Sequence, residues 1–281
     1  MKLVLLLFTL VATCETALAQ PAAKPTRLRE ESFQSTALAR SMKYRVLVPQ
    51  DYDASLRRYP VLYLLHGLTG QYTDWTTRTN LAEYTRTLPL IVVMPDGENY
   101  WYTNAADGSA RFEDYIVTDL PADVVQKYRT VNSRYGRAIA GLSMGGYGAL
   151  KLSLKRPAQY AVAGSFSGAL GVTIEGRYDR RIESVKATSL TAIFGPPESD
   201  TRKQNDVLAL AAAMKPAGAP YIYMDCGTAD SLIEENRAVV AALHKAGVPY
   251  EYHEIDGGHT WDYWDRRVRD FLVVLMKKLS N

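Results

Sequence analysis

The stretch Arg137-Ala138-Ile139-Ala140-Gly141-Leu142-Ser143-Met144-Gly145-Gly146-Tyr147-Gly148-Ala149-Leu150 leaves this chain little choice of fold. Ala138, Ile139 and Ala140 form a short apolar run suited to a buried strand. Gly141 and Gly145 then bracket Ser143 as G-x-S-x-G, and Tyr147, Leu150 and Leu154 recur at helical spacing until Pro157 stops them. A strand, a turn too tight for side chains and a helix thus follow one another. Such a turn lifts the serine hydroxyl above the end of a sheet, where the unpaired N–H groups of a helix start favour developing negative charge. Taken alone, the pattern also fits a glycine-rich connection with an incidental serine.

The surroundings favour a layered α/β fold. Residues 61–65 (VLYLL) and 90–94 (LIVVM) are continuous apolar runs, as expected of parallel strands buried on both faces. Residues 161–166, 221–224 and 250–255 read as further strands. Helical patterns intervene at 80–88, after Thr118 with Pro121 in the first turn, around 208–214 and over 232–245. A last helix carries the stripe Trp264, Val268, Leu272, Leu275 and Leu279. Strands alternating with helices predict a mostly parallel central sheet flanked by helices on both faces. The alternation over 42–48, ended by Pro49, suggests a half-exposed strand at the sheet edge. With 281 residues, 47% of them hydrophobic, and no marked linker, residues 41–281 are expected to form a single domain. Its pattern weakens around 168–220, which reads as an insertion.

The first 19 residues have the plan of a secretory signal peptide: Lys2, an apolar run over 3–12, and Ala17-Leu18-Ala19 as a cleavage site before Gln20. That run is roughly half the ~20 residues a membrane span requires, so no stable membrane insertion is expected after cleavage. The chain is therefore expected to be secreted or periplasmic, with a lipoprotein anchor at Cys14 as the alternative. Residues 20–40 read as a flexible lead-in. Cleavage removes Cys14 and leaves Cys226, so no intramolecular disulfide forms, and Cys226 reads as a small buried hydrophobe. The net charge of +3 is small. Arg177, Arg180 and Arg181, like Arg266, Arg267 and Arg269, have acids close by, which fits solvated faces and not a nucleic-acid stripe.

The chemistry-bearing residues fall in strand-end loops. His66-Gly67-Leu68-Thr69-Gly70 follows the run 61–65, and a glycine-rich loop there exposes backbone N–H groups. The Leu68 N–H is assigned to one half of an oxyanion hole and the Met144 N–H to the other, with the His66 side chain a hydrogen-bonded loop residue. Asp225 and Asp230 follow the strand at 221–224. Asp230, deeper in the loop, is preferred as the acid that orients a histidine, with Asp225 in reserve. Asp256-Gly257-Gly258-His259 follows the last strand, and its glycines let the loop approach the serine. His244 sits in a helix and His253 in an alternating strand, which leaves His259. The order Ser143, Asp230, His259 is the one that a serine on such a turn requires. Trp101, in the loop after 90–94, either lines a ligand crevice or covers the core edge.

With His66-Gly67-Leu68-Thr69-Gly70, Gly141-Leu142-Ser143-Met144-Gly145-Gly146, Cys226-Gly227-Thr228-Ala229-Asp230 and Gly258-His259-Thr260-Trp261 in order, the chain resembles the esterase D-like family. That family includes S-formylglutathione hydrolases, feruloyl and acetylxylan esterases and mycobacterial mycolyltransferases. The resemblance covers residues 44–279 and implies an α/β-hydrolase fold with Ser143 as nucleophile, His259 as base and Asp230 as orienting acid. Gly145-Gly146 departs from the mycolyltransferases, which have alanines there. The expected activity is hydrolysis of a small acyl or phenolic ester, free or glycan-linked, through an acyl-enzyme, with no metal or organic cofactor. Trp101 and Trp261 are candidate substrate contacts. The alternatives are an acyltransferase using the same three side chains, and a non-catalytic secreted protein that binds glycans on the same fold.

Overall fold

The computed structural model describes residues 27–279 except 175, 179–182 and 186–187. The expected signal peptide at 1–19, Cys14, and residues 20–26 of the expected lead-in lie outside the described residues.

One eight-stranded sheet organises the rest. In chain order its strands are β1 (Leu28–Ser35), β2 (Arg40–Leu47), β3 (Val61–Leu65), β4 (Ile91–Pro95), β5 (Arg137–Leu142), β6 (Val162–Phe166), β7 (Tyr221–Gly227) and β8 (Tyr250–Ile255). In space they run β1-β2-β4-β3-β5-β6-β7-β8. The first two are antiparallel and the remaining six parallel. After β3 the chain passes to β4 on one side and later to β5 on the other. The crevice where the strand order turns back therefore opens at the carboxyl ends of β3 and β5, the place where such sheets bind ligands.

The helices are α1 (Asp74–Arg78), α2 (Leu81–Tyr84), α3 (Phe112–Asp114), α4 (Leu120–Lys127), α5 (Met144–Lys155), α6 (Leu190–Phe194), α7 (Asp200–Gln204), α8 (Val207–Ala213), α9 (Ile233–Lys245) and α10 (Trp261–Leu279). Side chains alternate across the strands, so two cores form. Tyr63, Leu65, Val93 and Ile139 pack with Tyr147 and Leu150 of α5 on one face. Leu62, Leu64, Val92 and Ala140 pack with Val268, Phe271 and Leu272 of α10 on the other. Among the described residues no helix is long and apolar enough to cross a membrane.

Two expectations are corrected. The flexible lead-in over 20–40 is instead, from Leu28, a strand paired along its whole length with β2, which places β2 inside the sheet and not at its edge. Its inward face gave little hydrophobic signal because Phe33 alone is apolar there and the other positions are matched polar groups. Ser35 donates to Asp119 at 2.6 Å, Glu31 accepts from the Tyr128 hydroxyl at 2.7 Å, and Arg29 lies 5.1 Å from the centre of the Tyr52 ring. The helix expected after Thr118 begins earlier, with α3, and continues through a π turn at Tyr115–Asp119 into α4. Pro121 has no N–H to give, and the widened turn ahead of it lets the helical path carry on. The expected insertion at 168–220 holds α6, α7 and α8.

Candidate active site

Ser143 sits between β5 and α5 with φ 53° and ψ −116°, a conformation that costs a non-glycine residue about 1–3 kcal/mol. Packing enforces it. A side chain at Gly145 would put its Cβ 2.5 Å from the Leu65 carbonyl oxygen, so the turn can press against β3 only with glycine there. The Ser143 N–H donates to the Phe166 oxygen at 3.0 Å, and the Ser143 carbonyl accepts from Tyr147 and Ala169, each at 3.0 Å. Held on these sides, the hydroxyl faces the crevice.

His259 reaches it from the loop after β8. Its Nε2 lies 3.0 Å from Ser143 Oγ, and its Nδ1 lies 2.8 Å from Asp230 Oδ2. A carboxylate beside Nδ1 fixes the proton on that nitrogen and leaves Nε2 to accept from the serine hydroxyl. Gly257 in this loop has φ 143° and a Cβ position 2.6 Å from the Tyr263 ring, so glycine is required for the chain to turn here. The imidazole stands edge-on to Trp264, with ring centres 4.8 Å apart. Burial acts to raise the Asp230 carboxyl, but His259 and the Leu232 N–H outweigh it and hold the group below its ordinary range.

Asp225, the reserve acid, goes elsewhere. It is still within β7 and points into the sheet's packed face, where it accepts from the Tyr263 hydroxyl at 3.0 Å. Its burial drives that carboxyl well above the usual range, toward a neutral acid. His66 is also occupied: the Gly97 N–H donates to its Nε2 at 2.8 Å, and its Nδ1 faces the Gly67 oxygen at 2.8 Å. Neither imidazole nitrogen is left to act on a ligand.

Leu68 and Met144 both carry N–H groups with no acceptor among the described residues. Gly70 closes the Leu68 turn by donating to the Gly67 oxygen at 3.0 Å, and Asn99 Oδ1 accepts from the Thr69 N–H at 2.7 Å. Asn99 was not singled out from the sequence, because a loop asparagine carries no signal of the distant N–H it will meet.

Two cavities meet at Leu68, Ser143 and His259. One, about 260 Å³, extends along Asp74, Arg78, Trp261 and Trp264. The other, about 300 Å³, is walled by Trp101, Ala169, Tyr178 and Leu232, with Arg177 beside it. Trp101 both covers the core and stands beside a cavity. It is 1% exposed, packed edge-on against Tyr147 and Tyr178, and still borders the larger cavity. Trp261 borders the other, edge-on to Trp75 and Trp264, with the Arg78 guanidinium 5.5 Å from its ring centre. Among the described residues no cluster of side chains suited to a metal ion occurs.

This arrangement can move a proton from Ser143 Oγ to His259 Nε2, offer two N–H groups to an oxyanion, and hold a substrate group on either side. Residues 35–272 match the model of the Esterase family. The chain belongs to that family. This esterase is 29% identical over 261 residues to an acetyl esterase of Caldicellulosiruptor saccharolyticus, spanning 89% of this chain and 98% of the relative. It is 31% identical over 258 residues to an esterase of Mycobacterium tuberculosis, covering 84% of this chain but 56% of that longer protein. Among solved structures it resembles the fluorophosphonate-binding serine hydrolase F of Staphylococcus aureus. The TM-score is 0.77 at 26% identity, covering 90% of this chain and 99% of that one. The fold is that of the α/β-hydrolases, and the enzyme is a carboxylic-ester hydrolase.

Proposed function

We propose that this esterase cleaves esters of a small acyl or phenolic acid, free or carried on a glycan, through an acyl-enzyme on Ser143. His259 Nε2 takes the Ser143 proton as Oγ attacks the ester carbonyl, and the Leu68 and Met144 N–H groups receive the oxyanion. Each such donor contributes on the order of 3 kcal/mol to lowering the barrier. Asp230 holds the ring and stabilises the imidazolium. Collapse of the intermediate expels the alcohol, which takes its proton from His259. Water then attacks the acyl-enzyme, giving its proton to the same nitrogen, and collapse of the second intermediate breaks the acyl–Oγ bond, returns that proton from His259 to Ser143 Oγ and releases the acid. Trp101 and Trp261 contact the substrate on the two sides of the serine.

The observation that carries this reading is the continuous line of hydrogen-bond distances from Ser143 Oγ through His259 to Asp230, 3.0 and 2.8 Å. Similarity to an acetyl esterase supports a short acyl group, and aromatic side chains beside both cavities suit a phenolic ring or a sugar face. Residues 1–19 are proposed to direct export and to be removed before Gln20, which N-terminal sequencing of the mature protein checks.

Ser143→Ala should lower turnover of p-nitrophenyl acetate by about 10⁶. An unchanged rate rejects the assignment. Product analysis in the presence of added alcohols separates hydrolysis from acyl transfer, since a transferase would accumulate the new ester.

A further inference from the structure

Behind the Trp101 cavity lies an ammonium group that the proposed chemistry does not use. Lys151 is on α5, about two turns beyond Ser143, and is wholly buried. Its Nζ donates to the Tyr102 carbonyl at 2.6 Å and to Thr103 Oγ1 at 2.9 Å, and lies 3.2 Å from Glu113 Oε2. Glu113 is itself gripped by Lys155 at 2.9 Å, with Arg156 at 3.8 Å. The ring of Tyr147 faces the ammonium at 5.8 Å. A charge this deep must be solvated by fixed groups, and a backbone carbonyl is one of the few supplied to it.

The backbone that it holds is strained. Trp101 and Tyr102 have φ of 55° and 52°, two bulky residues in succession in the left-handed region. Tyr102 is fixed at its far end, where its hydroxyl donates to the His66 carbonyl at 2.8 Å, next to the loop that carries Leu68. Its ring occupies space left by glycines: a Cβ at Gly97 would stand 2.2 Å from it and one at Gly148 2.5 Å. Thr103 Oγ1 adds a bond to the Trp101 carbonyl at 2.8 Å. Lys151 therefore closes a circuit of hydrogen bonds around the two residues that set where the Trp101 indole stands.

We infer that Lys151 is a positioning residue: by holding the Tyr102 carbonyl it sets the width of the Trp101 cavity, and so the size of substrate group that this esterase accepts. The inference rests on Ser143 being the nucleophile, because that is what makes the cavity a substrate site. Nothing in the bond-breaking steps passes through Lys151. Its removal should change discrimination between substrates, and not the capacity of Ser143 to react.

The test uses Lys151→Met, which is one atom shorter and keeps the apolar stem, and Thr103→Val, a milder loss from the same circuit. Each folded variant is assayed on two ester series, p-nitrophenyl esters from acetate to benzoate and acetates of alcohols of growing size. Labelling of Ser143 by a fluorophosphonate is followed alongside. The expected result is a shift of about tenfold in the kcat/KM ratio of largest to smallest member in one series, smaller for Thr103→Val, with labelling retained. If Lys151→Met does not fold, the Thr103→Val ratio decides. Labelling retained with both ratios within twofold of wild type, or all esters slowed equally, overturns the inference alone. Loss of labelling in the wild type, or full turnover by Ser143→Ala, overturns the reading of the site beneath it.

Discussion

One acid–base cluster lies at the start of α5 and another along its later turns, and they are built to opposite ends. In front, Asp230 meets one titratable partner, His259, whose side chain is 23% exposed and whose other nitrogen faces Ser143. Behind, Glu113 meets Lys151 and Lys155 at 3.2 and 2.9 Å and is itself buried. An imidazole can gain and lose a proton near neutral pH, whereas the Glu113 carboxylate is shared between two ammonium groups, of which burial pushes Lys151 down to about 8. In the proposed cycle the front pair changes state at every turnover, whereas the rear group takes no part in it. Partner chemistry, more than burial, separates the two roles, since both carboxylates are enclosed.

The sharpest way to break this comparison is Asp230→Asn. It should cost about 10⁴ in kcat on p-nitrophenyl acetate while leaving the melting temperature within a few degrees, because the amide favours the wrong tautomer of His259 but fills the same space. A loss of less than tenfold would remove Asp230 from its role. Next in size is Glu113→Gln, which leaves two buried or half-buried ammonium groups short of a counter-charge. Urea unfolding should show a loss of about 3–5 kcal/mol.

The smallest effect is on acid stability. The lysines beside Glu113 outweigh its burial and push its carboxyl down to about 2 from an ordinary 4.5. A depressed carboxylate stabilises the fold above the unfolded value and loses that contribution as pH falls toward the folded one. Urea unfolding between pH 6 and 2.5 should therefore show a decline beginning near 4.5, on the order of 3 kcal/mol from this group. The decline should be shallower in Glu113→Gln. Equal slopes in the two proteins would mean that Glu113 is not held as described.

Much of the front of the site was legible in the sequence, because its residues lie in loops that directly follow apolar runs. The runs at β3, β4 and β5 locate strand ends, and Ser143, Leu68, Asp230 and His259 stand just past such ends. Four residues separated the two candidate acids, and strand length decided between them: β7 continues through Gly227, so Asp225 faces the core while Asp230 is free to turn toward His259. The rear of the site was not legible. Lys151 interrupts an apolar stretch of α5, and its partner Glu113 lies ahead of Thr118, where the helix was expected to begin. The pairing exists only once α3 packs behind α5. β1 was hidden for a related reason, since hydrogen bonds and ion pairs replace the apolar face that periodicity detects.

The backbone angles at Ser143 have a wider consequence. Glycine would occupy that position without the steric strain, so a chain lacking the proposed nucleophile would rest more comfortably at this turn. The enzyme keeps its reactive group by tolerating a permanent local discomfort. Selection for thermal endurance alone would be expected to erode the serine before it touched the strands that carry it.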